Sequence, residues 1–158
     1  MSKKQVFQAV NEKKQKDYER SARLQYDPVT VNESIKRWGS YDDSQKEAIS
    51  AEGNRIYSDL ADALIAGKAP QSAEVQVILE GWHNHLGHFY EPSLEILRGL
   101  GELYNTNPDF IANFKKLHPD LPGYLQAAIT QYVDDLEEAE LARLLAADQS
   151  KANKGDAS

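Results

Sequence analysis

Apolar residues recur along this chain at spacings of three and four, the period of a helix with one buried face. No alternating β-branched run and no Asn-Gly hairpin turn breaks the pattern, so the expected fold is all-α. Lys4 to Gln25 reads as a polar helix. It stops before Asp27-Pro28, because the residue ahead of a proline disfavours the α region. Val29 to Trp38 is a short second helix ending at Gly39. Ser40 or Asp42 caps the third, which carries Ile49, Gly53, Ile56, Leu60 and Leu64 on one face and ends at Gly67 and Pro70.

Ser72 is the expected N-cap of a fourth helix. Its stripe runs through Val75, Ile78, Leu79, Trp82, Leu86, Phe89 and Tyr90 until Pro92 breaks it. The fifth, Ser93 to Tyr104, is apolar almost all round and should be central; Gly99 and Gly101 would let another helix or a ligand approach its backbone. Asn107-Pro108 is a cap followed by an N1 proline, opening a sixth helix that ends near Leu117. Leu121-Pro122 starts the last, with Tyr124, Leu125, Ala128, Ile129, Tyr132, Val133 and Leu136 on its buried face. Leu141, Leu144 and Leu145 extend it, and residues 148–158 read as a disordered tail.

The chain has 158 residues, which suits one domain with a real core. Apolar density is uneven. Residues 1–55 hold nine of Val, Ile, Leu, Phe and Trp, whereas residues 56–147 hold twenty-eight. The first third therefore buries little surface against its ordering entropy and should be the less stable part. The expected organisation is a single domain over 1–147, with 1–55 a mobile lid and 56–147 a stable core.

Charge and composition narrow the function. The net charge of −7 argues against direct nucleic-acid binding. Residues 1–40 carry nine Lys/Arg against five Asp/Glu, and the remainder nine against twenty. Such a basic first helix reads as a solvated face, or as a surface that docks within the chain or on a partner. Cysteine is absent, which excludes disulfides and thiolate chemistry and suits a cytoplasmic location. No apolar run is long enough to span a membrane, and the N-terminus has no apolar signal segment.

The titratable residues offer little chemistry. His83 and His85 point about 200° apart on a helix. His85 and His88 share a side, but supply two metal ligands only if another helix supplies the rest. His85 is the one histidine near an apolar face that haem ligation would need. Asp42-Asp43, Asp134-Asp135 and Glu137-Glu138 suit caps and solvated faces, since adjacent helical residues do not face each other. No nucleophile-elbow, Walker or dinucleotide-binding motif occurs. The expectation is no catalytic residue, no metal and no cofactor. The aromatics are the stronger signal. Trp82, Phe89, Tyr90, Tyr104, Phe110 and Phe114 are core candidates singly, yet together exceed what a small bundle needs. A cleft lined by them suits a bulky amphipathic or peptide-like ligand.

These residues carry a resemblance. Phe7, Tyr18-Glu19, the ARLQY stretch ending at Tyr26, Ser34, Arg37, Ser40-Tyr41 and Pro70 precede Trp82 and Phe89-Tyr90. The LRGLGELY block from Leu97 to Tyr104, Pro108 with Phe110, and AAITQY from Ala127 follow. In that order they resemble the TipAS antibiotic-recognition domain, the effector domain of some MerR-family regulators that also occurs as a free protein. The resemblance implies a globin-like domain of about seven helices without haem, whose cleft captures diverse antibiotics, thiopeptides among them. It also implies N-terminal helices that close over the cleft with ligand. Some members hold a cysteine just after the aromatic pair that dehydroalanine-bearing thiopeptides alkylate. Here Glu91-Pro92-Ser93 stands there, so capture must be reversible. Asn107-Pro108-Asp109-Phe110 replaces the family's frequent Asp-Pro-Arg-Phe, implying a different ligand range.

The expected function is non-covalent binding of a bulky hydrophobic or peptide-like antibiotic, for sequestration or sensing. The cleft residues are Trp82, His85, Phe89, Tyr90, Tyr104 and Phe110, with Trp38 and Tyr41 in the closing lid. The alternative is an effector module acting through a MerR-type DNA-binding partner, since the chain has no winged-helix signature and no long heptad run of its own. A third reading, an enzyme or metal protein using the histidines, has least support.

Overall fold

The computed structural model describes residues 28–156. The expected Lys4 to Gln25 helix, with Phe7, Tyr18-Glu19 and Tyr26, lies outside them. The described residues form six helices and no strand. They are α1 (Pro28–Ser40), α2 (Asp43–Ile65), α3 (Ala73–Leu86), α4 (Leu94–Thr106), α5 (Pro108–Lys115) and α6 (Leu121–Asp156).

The starts follow from local caps, of which Asp42, Ser72 and Asn107 were read in the sequence and Ser93 was not. Asp42 caps α2 in a full capping box: its carboxylate accepts from the Gln45 amide at 2.7 Å, and the Gln45 side chain accepts from the Asp42 amide at 2.9 Å. Ser72 and Ser93 cap α3 and α4. Asn107 closes α4 and opens α5, its side chain accepting from the amides of Asp109 and Phe110. Gly67 takes a left-handed φ of 77° just after α2, the conformation glycine adopts without steric cost.

Packing centres on α4. Its Leu97 and Leu100 are wholly buried, together with Leu60 of α2, Leu79 of α3, and Leu121 and Leu125 of α6. The helices α4 and α6 approach closely at Gly101, where a Cβ would lie 3.0 Å from the Ile129 γ2 methyl. The glycine expected to admit a neighbour therefore admits a helix.

Two boundaries differ from expectation. The stripe from Val75 to Tyr90 divides at Leu86, where α3 ends. The amides of His88 and Phe89 reach back three residues, to the carbonyls of His85 and Leu86, and tighten the chain into a turn. Pro92 could not have prolonged the ladder, having no amide hydrogen. Phe89 and Tyr90 thus stand beyond the helix. At the other end, residues 148–156, expected as a tail, continue α6. Every side chain described from Glu137 onward is exposed. No helix of the described residues is long and apolar enough to cross a membrane.

Candidate ligand cleft

A cavity of about 160 Å³ opens between α1, α2, the end of α3 and α4. Trp38, His85, Phe89, Tyr90, Tyr104 and Phe110 line it, six of the eight residues expected at a cleft. The other two stand behind it and beside it. Trp82 is 1% exposed and meets Tyr104 edge-on at 6.3 Å, as core beneath the cleft. Its indole N–H is buried and has no partner among the described residues. Tyr41 follows α1 and meets the edge of Trp38 at 6.4 Å.

The sequence reading missed the α2 wall. Ile49, Ser50, Gly53, Asn54 and Tyr57 all line the cavity, with Leu86 and Leu100 below. Ile49 and Gly53 lay on a stripe that reads as ordinary core, and Tyr57 lay beside it. Only the tertiary packing of α2 on α3 shows that part of that stripe faces a void. Tyr104 is the hub of the floor. It packs on Phe110 and Phe114, each at 5.2 Å, and its hydroxyl lies 3.3 Å from that of Tyr57. Such aromatic pairs add about 0.5–1.5 kcal/mol each beyond their buried area. Asn107 and Asp109 help position Phe110 through the α5 cap.

The roof is α1. The Trp38 ring stacks on Phe89 at 5.4 Å and 27°, with the Lys46 ammonium 5.5 Å from its centroid. Two hydrogen bonds fasten this roof to the turn after α3. The Arg37 guanidinium donates to the Gly87 carbonyl at 2.9 Å, and the Tyr41 hydroxyl donates to the His88 carbonyl at 2.6 Å. Both acceptors are carbonyls left free because α3 ends here. The local break in the helix therefore creates the fastening points for the lid.

His85 forms the polar corner. Its Nδ1 lies 2.7 Å from the Glu52 carboxylate, which also stands 3.3 Å from His88 Nε2. Burial holds His85 below its ordinary pKa, although Glu52 opposes that shift. Burial would raise Glu52, but the hydrogen bonds and charges of His85 and His88 bring it below the ordinary carboxylate value. His83 points away, its Nδ1 2.8 Å from the Tyr132 hydroxyl, as the helical angle requires. The acidic pairs serve as expected: Asp42 is a cap, while Asp134 and Glu137 both accept from Arg98.

An all-helical domain with an aromatic cavity beneath a fastened helix is the class this arrangement defines. The chain belongs to the TipAS antibiotic-recognition domain family, whose profile matches residues 18–132. It is 30% identical over 142 residues to the HTH-type transcriptional activator mta of Bacillus subtilis, an alignment covering 87% of this chain and 54% of that protein. It is 34% identical over 100 residues to the HTH-type transcriptional regulator SkgA of Caulobacter vibrioides, covering 62% of this chain and 38% of that one. The chain thus spans about half the length, or less, of these curated relatives. A solved structure of TipAS from Streptomyces lividans in complex with nosiheptide, a thiopeptide antibiotic, shares the fold with a TM-score of 0.67. That match has 20% identity and covers 76% of this chain and 85% of the other.

Proposed function

We propose that this domain binds a bulky hydrophobic or peptide-like antibiotic reversibly in the cleft beneath α1. The observation that carries the reading is the aromatic lining of a small cavity beneath α1. At about 160 Å³ it is smaller than the roughly 300–1,000 Å³ of pockets that take drug-sized ligands. A large ligand therefore has to displace the roof, which is held by one aromatic stack, two hydrogen bonds to a turn, and the buried side chains of Val31 and Ser34. Few contacts hold it, so opening is inexpensive compared with opening the core. Ligand rings then replace the Trp38–Phe89 stack and rest on Tyr104 and Phe110, while Ser50, Asn54 and His85 offer polar contacts that fix orientation. Affinity comes from burying apolar ligand surface, and the cost of moving α1 penalises poor fits. The lid is α1, and α2, one unbroken helix across the expected boundary at residue 55, belongs to the frame. We read the role as binding, in keeping with the antibiotic-recognition family to which the chain belongs.

A second reading has its own support, because the relatives are HTH-type transcriptional regulators. In it the same domain is an effector module that reports occupancy to a DNA-binding partner of the MerR type in the cytoplasm. Displacement of α1 would be the signal.

Calorimetry with nosiheptide tests the cleft. Binding should show a negative heat-capacity change. Phe110→Ala should weaken it by about 2 kcal/mol, the scale of an aromatic hot spot on which the ligand rests. Binding with no heat-capacity change, and equal in the variant, would place any ligand elsewhere.

A further inference from the structure

The sequence offered His85 and His88 as two ligands in want of a third from another helix, and α2 supplies it. We propose that Glu52, His85 and His88 form a binding site for a divalent transition-metal ion of the zinc type at the rim of the cleft. The Glu52 carboxylate stands between the two rings, 2.7 Å from His85 Nδ1 and 3.3 Å from His88 Nε2. One donor atom from each residue lies within 4.8 Å of the others. A tetrahedral ion at about 2.0–2.2 Å from nitrogen and oxygen donors needs them roughly 3.4 Å apart. The Glu52–His88 separation is close to that value, and the Glu52–His85 separation would have to open by about 0.7 Å as the ion replaces the hydrogen bond. Two imidazoles and a carboxylate suit zinc and its neighbours in the first transition row, and select against calcium and magnesium, which prefer oxygen alone.

The surroundings favour the arrangement. His85 is 8% exposed and its ring is held in place, because Gly53 leaves room where a Cβ would come within 3.0 Å of Nε2. Its Nδ1 is therefore pre-aimed at Glu52. Glu52 and His88 are each about 40% exposed, so the ion has a path from solvent and a coordination position for water. Coordination replaces the hydrogen bonds now shared by the carboxylate and the rings. A ring nitrogen that carries a proton there releases it to solvent as the ion enters.

The position gives the ion an effect beyond the three ligands. Gly87 and His88 carry the carbonyls that fasten Arg37 and Tyr41, and Phe89 carries the Trp38 stack. An ion joining His88 to α2 would stiffen the turn on which the roof is latched.

The test needs no antibiotic. The untagged 158-residue chain is titrated with zinc chloride, following the heat and the histidine ring signals by NMR. The expected result is one equivalent bound, with the His85 and His88 signals shifted and those of His83 and His118 unmoved. Glu52→Gln and His88→Ala should each weaken binding at least about tenfold, while His118→Ala leaves it unchanged. Both substitutions fall on half-exposed side chains, so thermal melts will show a folded protein. The proposal is overturned if no saturable binding occurs up to about 1 mM. It is equally overturned if the Glu52 and His88 variants bind zinc as the parent does.

Discussion

Single residues here do more than one task, and His85 is the clearest case. It closes the polar corner of the cleft, packs on Phe89 at 5.7 Å, and fills the space that Gly53 leaves open. Its folded pKa lies below the ordinary 6.5, burial being the main cause, with Glu52 opposing and His88 adding to the depression. The unfolded chain therefore takes up a proton at higher pH than the folded one. Stability is full above 6.5 and declines as the pH falls through that value toward the folded pKa. His83, also lowered by burial, adds to the same slope. In urea melts with a chelator present, His85→Gln should flatten part of this decline. An unchanged slope would mean that His83 or the carboxylates carry it. At this scale the sequence was partly legible. The number of aromatic residues suggested a cleft, and six of the eight residues expected there, His85 included, line the cavity. Glu52 gave no signal, because a lone glutamate on a polar helix face looks like any other. Trp82 misled for a physical reason: a large aromatic at the centre of a stripe is as well suited to the floor beneath a cleft as to its wall.

Helices were the most legible level, since caps and breakers are local. Asp42, Ser72 and Asn107-Pro108 each open the element their chemistry predicts. The end of α3 was not legible, because periodicity continues through Phe89 and Tyr90 while the hydrogen bonds shorten to three residues at Gly87. A stripe reports which residues share a face and cannot say whether the backbone stays α. The contact of α4 with α6 yields a prediction at this scale. A methyl at position 101 would meet the Ile129 γ2 methyl at 3.0 Å and its Cβ at 3.2 Å, tighter than ordinary packing. Gly101→Ala gains helix propensity of about 1 kcal/mol but overpacks a core contact, which costs typically 1–3 kcal/mol. The net effect should be destabilising. Ile129→Leu removes the γ2 methyl and leaves the Cβ, so the double variant should recover part of the loss. Chemical denaturation of the four proteins measures the coupling, and strictly additive effects would show that α4 and α6 shift apart instead.

Across the whole molecule, stability should be graded outward from α4. Among the described residues the large, wholly buried side chains belong to α2, α3, α4 and α6 and to Tyr90 beyond α3, whereas α1 contributes Val31 and Ser34 and is fastened mainly at its end. The low apolar count of residues 1–55 already pointed to this gradient. The last helix sets the opposite limit. Up to Leu136 it packs on the core, and Arg98 ties down Asp134 and Glu137 from α4. Beyond Glu137 it stands alone, with Leu141, Leu144 and Leu145 exposed at 58%, 48% and 55%. Helices shorter than about 12–15 residues are marginal in water without packing, and this stretch is scarcely longer. Amide hydrogen exchange should therefore show strong protection through Val133 and a steep fall after Glu137. A chain ending at Glu140 keeps the Arg98 pairs and every core side chain. Its melting temperature should stay within about 2 °C of the parent, while its helical circular dichroism falls, because a shift of that size corresponds to well under 1 kcal/mol in a domain this long. A larger loss, or protection that continues past Leu145, would mean that the far end of α6 is covered in solution, and its three exposed leucines would be the contact.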